Sequence, residues 1–122
     1  MNIVTKLLTY QNQVKILHWQ TTSYSEHKSL GDLYDGLSGH IDQFVEVFMG
    51  KYGRIISPST FNLILENYKN LGPMSLMNEM ETYLVNDVPT MLDAKKDTDL
   101  LNIRDEMLGL INQSKYLLTL KY

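Results

Sequence analysis

An apolar stripe of helical period runs through the middle of the chain. Its members recur at spacings of three and four residues, which predicts one long amphipathic helix over residues 25–52. They are Leu30, Leu33, Leu37, Ile41, Phe44, Val45 and Phe48. Gly53 follows the stripe, and a glycine just past a helix end is a common stop signal. Such a helix must bury its stripe against other elements, so the rest of the chain is expected to supply apolar partners.

The segment before this helix has the same period. Its apolar residues predict a first helix over residues 2–20, with Asn2 as a candidate cap. These residues are Ile3, Val4, Leu7, Leu8, Val14 and Leu17. A polar break at residues 21–25 contains the only plausible turn before the long helix, so the two helices are expected to form an antiparallel hairpin.

The longest connection lies at residues 54–72. Ser57 and Pro58 resemble a helix cap followed by a proline in the first turn, which predicts a short helix reaching Tyr68. A long crossover allows the next long helix to run parallel to the second one. We therefore expect a crossover that spans the bundle and carries this short helix.

Two further helices complete the predicted fold. The third begins near Pro73, and Pro89 is expected to kink or divide it. The fourth begins with Asp97 or Thr98 as its cap and ends near Leu120. No stretch of useful length alternates as a strand does. The prediction is a single all-α domain over residues 1–122, a four-helix bundle with a long crossover between its second and third helices.

Composition excludes several classes of function. The 122 residues contain no cysteine, which excludes disulfides, thiolate metal sites and a cysteine nucleophile. The net charge of -3 and the scattered lysines do not favour a nucleic-acid partner. No apolar run is long enough to cross a bilayer, and the first residues lack the pattern of a signal peptide. We expect a soluble, cytoplasmic protein with no membrane partner.

Histidine and carboxylate side chains mark a candidate metal site. His18 ends the first helix and His27 begins the second, so the hairpin is expected to bring them together. Asp42 and Glu46 are four residues apart and share one face of the second helix. Imidazole together with carboxylate is a ligand set for iron, zinc or manganese. The alternative is that the carboxylates form a solvated stripe and that the histidines only cap helix ends.

The spacing of these residues requires two chains. His27 and Asp42 lie about 22 Å apart along a straight helix at 1.5 Å per residue. They cannot share a metal within one chain, but two copies of the second helix packed antiparallel would bring each histidine pair to the partner's carboxylates. The expected partner is therefore a second copy, in an isologous homodimer with two equivalent sites.

These residues resemble those of a known family. The pattern of His18 with Trp19, then His27, then Asp32 to Tyr34, then Asp42 and Glu46 resembles the Dps group of small ferritins. It also resembles the shorter ferritin-like proteins of phages and large DNA viruses. The resemblance implies a ferritin-like bundle and, in a viral protein, the host cytoplasm.

The same resemblance implies a function. In the Dps group, an iron-oxidising site lies between subunits, with histidines from one chain and an Asp/Glu pair from its mate. This implies His18 and His27 as ligands from one chain and Asp42 and Glu46 from the other. It further implies oxidation of ferrous ion by a ferroxidase-type oxidoreductase, protection against oxidative damage, and a twelve-subunit shell.

The chain departs from the family pattern at one ligand. Gly31 stands where the family has an aspartate four residues after the second histidine. Asp32 is a further candidate ligand, although it lies about 100° further round the helix. No lysine-rich tail precedes the first helix, which argues against Dps-style DNA binding. The alternative function is a helical dimeric structural or interaction protein whose metal site has degenerated.

Overall fold

The structure, a computed structural model, describes residues 2–56 and 60–120 and contains no strand within them. Its four α-helices are α1 (Ile3–Gln20), α2 (Tyr24–Tyr52), α3 (Pro73–Thr82) and α4 (Thr98–Leu117). The all-α prediction is therefore confirmed. None of the helices in this part of the chain has the length and hydropathy needed to cross a membrane.

Local side-chain chemistry sets the helix ends. The Asn2 side chain accepts a hydrogen bond from the backbone N–H of Thr5 at 2.8 Å, as expected of an N-cap. Ser23 does the same at the start of α2, accepting from the N–H of Glu26 at 3.3 Å. Gly53 ends α2 with a φ of 86°, a backbone conformation that residues with a Cβ rarely adopt. The predicted cap at Asn2 and the stop at Gly53 are confirmed.

The helix that begins as α3 changes its hydrogen-bond pattern before its proline. Beyond Thr82 it continues as a π-helical segment, Tyr83–Asp87, and then as a 3₁₀ turn, Val88–Met91. Pro89 lacks an N–H donor and its ring crowds the preceding turn, so the regular α-helical pattern cannot continue through it. The predicted division of this helix is confirmed.

Contacts near the helix ends define the topology. Lys51 at the end of α2 forms an ion pair with Asp99 at the start of α4, with Nζ 2.7 Å from Oδ1, so these helices are antiparallel. Tyr10, in the first half of α1, meets Tyr83 just beyond α3 at 5.6 Å between ring centroids. With Lys6 placed beside Tyr83 as well, α1 and α3 are antiparallel. It follows that α2 and α3 run parallel, and this helix order is compatible with a ferritin-like four-helix bundle.

The crossover contains no helix in its described residues, 54–56 and 60–72, so the predicted short helix is wrong there. Ser57 and Pro58, its predicted start, lie outside the described residues. The backbone instead pairs with glutamines of α1. Gln13 donates to the carbonyl of Glu66 at 2.8 Å and accepts from its N–H at 2.7 Å. Because these backbone groups find partners on α1, they do not need the bonds of a helix.

The predicted stripe of α2 forms the centre of the core. Five of its seven residues are at most 4% exposed, namely Leu30, Leu33, Leu37, Ile41 and Phe44, whereas Val45 and Phe48 are only partly buried. They pack with apolar residues of α1, α3 and α4 in one buried cluster. Burial of such side chains is the main favourable contribution to folding. The same packing fixes α2, which carries His27 in its first turn and Asp42 and Glu46 in its second half, within the bundle.

Candidate metal centre

The hairpin between α1 and α2 brings two imidazole rings into contact. His18 lies in the last turn of α1 and His27 in the first turn of α2. The ring centroids are 3.8 Å apart and the ring planes differ by 16°, so the rings are stacked. The structure therefore brings together the first pair of sequence-predicted ligands.

Reciprocal hydrogen bonds fix the tautomer of both rings. Nδ1 of His18 lies 2.6 Å from the carbonyl oxygen of His27, and Nδ1 of His27 lies 2.7 Å from the carbonyl oxygen of His18. A carbonyl oxygen only accepts, so each Nδ1 must carry the hydrogen. In the neutral ring, Nε2 then holds the lone pair. Ligating histidines are oriented in this way, with one ring nitrogen donating to a carbonyl and the other free for a metal.

Gly31 provides the space that His18 occupies. A Cβ added at this position would lie 2.9 Å from Cε1 and 3.2 Å from Nδ1 of His18. The first distance is shorter than real Cβ contacts, so any side chain at position 31 displaces the ring. The glycine that departs from the Dps pattern therefore has a steric reason. The sequence analysis treated Gly31 only as a departure from the family pattern, and it missed that a candidate ligand packs against this glycine.

Asp32 lies beside the histidines, but its carboxylate contacts Lys28. It lines the same shallow surface pocket as His18 and His27, together with Lys15 and Lys28. Its carboxylate is 3.8 Å from Nζ of Lys28, and both side chains are 65% exposed. An exposed pair of this kind contributes little to stability, so it does not prevent Asp32 from turning to another cation.

The second pair of predicted ligands lies on the exposed surface of α2. Asp42 and Glu46 are one helical turn apart. A hydrogen bond with the Asp42 carboxylate, together with its negative charge, raises the pKa of Glu46 above its usual range. Two carboxylates this close repel each other unless they share a proton or a cation. Their arrangement is thus suited to a positively charged partner.

The structure does not bring the two pairs together. Since α2 is unbroken, His27 and Asp42 remain about 22 Å apart along its axis and about 60° apart around it. Within residues 2–56 and 60–120, no group of three or more histidine and acidic side chains is close enough to hold a metal. Each chain therefore presents two separate pairs, one at the hairpin between α1 and α2 and the other further along α2.

Comparisons with known proteins give a family match and a distant relative. The family DUF5856, described as a family of unknown function, matches residues 18–118. The chain belongs to this family. An uncharacterized 14.6 kDa protein from the mobD-ri intergenic region of Enterobacteria phage T4 is 24% identical over 115 residues, covering 94% of this chain and 84% of the relative. No solved structure matches the chain. The T4 relative agrees with a phage-related origin, and neither match indicates the Dps group.

The histidine pair of this DUF5856 protein is supported by a network that the sequence does not reveal. Glu26, next to His27, accepts hydrogen bonds at 2.7 Å from the hydroxyls of Thr21 and Tyr68. Gln20 accepts a bond from the N–H of Tyr68 at 2.7 Å. The crossover thereby holds the turn between the two histidines. The two contacts of Tyr68 join residues more than forty positions apart, which is why local sequence patterns carry no sign of them.

Proposed function

We propose that the protein binds iron between two copies of the chain, with His18 and His27 from one copy and Asp42 and Glu46 from the other. The observation that carries this proposal is the pair of reciprocal hydrogen bonds between the two histidines. They leave Nε2 of both rings without a hydrogen in the neutral form, as metal ligation requires. The bond from His27 to the carbonyl of His18 also caps the end of α1, but capping alone does not require His18 to donate to His27 in return.

The division into pairs supports a site shared between chains. Neither pair suffices alone, because two protein ligands leave most positions around a metal open. Antiparallel packing of α2 on a second α2 would place each histidine pair opposite a carboxylate pair. A metal ion bound between the two pairs would supply the positive charge that the Asp42 and Glu46 carboxylates lack in the single chain. It generates two equivalent sites about a two-fold axis.

Iron is the proposed metal because imidazole and carboxylate suit it and because the residues resemble those of the Dps group. Zinc and manganese accept the same ligands. The proposed reaction is oxidation of ferrous ion, in which two ferrous ions and two protons reduce one hydrogen peroxide to two waters. The protein holds the metal in place, and removal of ferrous ion and peroxide protects against oxidative damage. A ferritin-like bundle and a twelve-subunit shell belong to the same proposal.

A mixing experiment tests the shared site. One variant carries His18→Ala and His27→Ala, and the other carries Asp42→Ala and Glu46→Ala. Neither variant alone should bind iron in an anaerobic ferrous titration. After unfolding and refolding together, random pairing should restore about a quarter of the wild-type capacity, because only mixed dimers contain one intact site. Failure of the mixture to recover any capacity would contradict a site shared between chains.

A matched control and two measurements complete this test. His40→Ala removes a histidine from α2 outside both pairs and should leave the capacity unchanged. Native mass spectrometry gives the number of subunits, and elemental analysis distinguishes iron from zinc and manganese. A stable dimer that binds no metal would instead favour the structural or interaction protein with a degenerate site.

A further inference from the structure

A groove on the surface formed by α1 and α2 lies beside the candidate carboxylate ligands. It has a volume of about 610 Å³, and its apolar lining residues are Val4, Leu8, Ile41 and Val45. Val4 and Ile41 belong to the core, whereas Leu8 and Val45 are only partly buried. Asp42 also lines this α1–α2 groove. In the single chain the groove is open to solvent, so its apolar surface is free to receive another apolar side chain.

An exposed tryptophan lies on the same surface, at the hairpin end. Trp19 is the only tryptophan of the chain, and it is 65% exposed. Nζ of Lys15 is 5.5 Å from the centroid of the Trp19 ring and 4.5 Å from that of Tyr34 on α2. Lys15 thus links Trp19 to the α2 side of α1, where the groove also lies. Large aromatic side chains of this kind are typical anchors of protein interfaces.

Trp19 and Leu8 of the groove share one stripe of α1. At about 100° and 1.5 Å per residue, their side chains leave the helix within about 20° of each other and about 16 Å apart along its axis. The stripe is therefore self-complementary. When two copies of α1 pack antiparallel about the midpoint of this stretch, Trp19 of each copy faces Leu8 of the other.

This aromatic pairing and the proposed metal sites require the same two-fold axis. Gln11 donates a hydrogen bond to Ser38 at 2.7 Å, so these residues lie side by side in the antiparallel hairpin. In this register, the midpoint between the tryptophan and the leucine is level with residues 35–36 of α2. The midpoint between His27 and the carboxylate pair falls at the same residues. Two requirements that come from different side chains thus point to the same partner, a second copy of the chain.

The charges beside this contact are complementary as well. Among the residues that the structure describes, no carboxylate lies within 4 Å of the Lys15 ammonium group. Of the described residues that line the groove, Asp42 alone is charged. A Trp19 ring placed in the groove of another copy would bring the lysine beside it towards this carboxylate. Pairs of this kind favour the correct orientation of two partners more than they add affinity.

We propose that two copies dock through this surface without metal, with Trp19 of each copy in the α1–α2 groove of the other. This inference rests on the proposed function, which supplies the antiparallel register of the two copies. Burial of an aromatic side chain removes about 150–250 Å² from water, and the two-fold axis doubles the contact. The two halves of each metal site would then be assembled before iron binds.

Fluorescence and sedimentation equilibrium of the full-length, chelator-treated protein test this proposal. The protein should be a dimer, and Trp19 should emit at a shorter wavelength in the dimer than after dilution to the monomer. Trp19→Ala should weaken dimerisation at least about tenfold, because buried tryptophans are frequent hot spots. Tyr116→Ala removes a similarly exposed aromatic ring from α4 and should dimerise as the wild type does.

A mixing experiment tests the groove itself. Leu8→Gln keeps the tryptophan but makes the groove polar, so this variant alone should emit at the long wavelength of an exposed ring. Trp19→Ala has no tryptophan fluorescence but retains the groove. Adding it in excess should move the emission of Leu8→Gln to shorter wavelength, which also shows that Leu8→Gln is folded. The variant with both changes is the matched control and should cause no such shift.

The proposal is overturned if the metal-free wild type is a monomer at every concentration tested. It is also overturned if Trp19 keeps its long-wavelength emission in the dimer, or if excess Trp19→Ala leaves the emission of Leu8→Gln unchanged. A metal-free dimer that behaves as expected but binds no iron would contradict only the proposed function. Iron bound between chains while Trp19 stays exposed would contradict only this inference.

Discussion

The histidine pair at the α1–α2 hairpin and the carboxylate pair on α2 differ in how far a single chain pre-organises them. At one end, stacking, reciprocal hydrogen bonds and the space over Gly31 hold His18 and His27 in one arrangement. At the other end, Asp42 and Glu46 are exposed and interact through a contact that raises the pKa of Glu46. The histidine half is organised before any partner arrives, whereas the carboxylate half lacks a positive charge. A dimer would place the pre-organised histidine pair of one chain beside the carboxylate pair of the other chain, which lacks a positive charge.

The largest expected effect is on iron affinity, and it comes from disturbing the pre-organised histidine pair. Gly31→Ala adds a Cβ at 2.9 Å from Cε1 of His18, so the ring must shift, and we expect this shift to disrupt its hydrogen bond to His27. Loss of such an orienting contact typically weakens metal affinity about 10–100-fold. Anaerobic iron titration measures this loss. Long-range ¹H–¹⁵N NMR spectra should show both rings protonated at Nδ1 in the wild type and a changed His18 signal in the variant.

A second glycine provides the control for this variant. Gly109 lies within α4, and a Cβ there would meet no atom within 4 Å. Gly109→Ala should therefore stabilise the protein by about 0.5–1 kcal/mol and leave iron affinity unchanged. Gly31→Asp, which restores the residue of the Dps pattern, should bind iron no better than Gly31→Ala. Tighter iron binding by Gly31→Asp would show that position 31 is a ligand position and that His18 yields to it.

A smaller effect is expected where α2 is anchored to α4, beyond the carboxylate pair. Asp97 is buried and accepts hydrogen bonds from the backbone of Asp93 at 2.8 Å and the hydroxyl of Tyr52 at 2.6 Å. These bonds, with Lys51 nearby, lower the pKa of Asp97. A carboxyl whose folded pKa is lowered stabilises the fold above its unfolded pKa of about 3.9, and this contribution is lost as the pH falls through the folded pKa.

Melting temperatures between pH 7 and pH 2 test this anchor. Asp97→Asn should lower the melting temperature at pH 7 and flatten its decline on the acid side. Asp105→Asn, which changes an exposed carboxylate of α4, should melt close to the wild type at every pH. An Asp97→Asn variant that keeps the full acid-side decline would show that other groups cause it.

The helices could be predicted because their signals are local. Asn2, Gly53 and Pro89 act on residues within a turn or two, and the three-and-four spacing of Leu30 to Phe48 fixes which face is buried. The crossover was mispredicted for the opposite reason. Its apolar residues have helical spacing, but Gln13 satisfies the backbone of Glu66 from a distant helix. Tertiary hydrogen bonds of this kind override local preference.

Only part of the candidate site could be predicted from the sequence. The proximity of His18 and His27 follows from a short turn, and their separation from Asp42 follows from helix length. The tautomers of the two histidine rings do not follow from the sequence, because they depend on which carbonyl oxygen each Nδ1 contacts. The role of Gly31 also depends on a side chain of another helix.

The smallest expected effect is a change in melting temperature at the carboxylate pair, and the sign of this change tests whether that pair lacks a positive charge. Because Asp42 raises the pKa of Glu46, ionisation of Glu46 opposes folding once the pH rises through its unfolded pKa and then its folded pKa. Glu46→Gln removes this charge, so it should slightly raise the melting temperature of the metal-free protein at pH 7 and have no such effect at pH 3. The same change should weaken iron binding, since it removes a proposed ligand. Glu106→Gln on α4 is the control and should change neither quantity. If Glu46→Gln lowers the metal-free melting temperature at pH 7, the carboxylate pair is already satisfied within the single chain, and the contrast between the two ends of α2 does not hold.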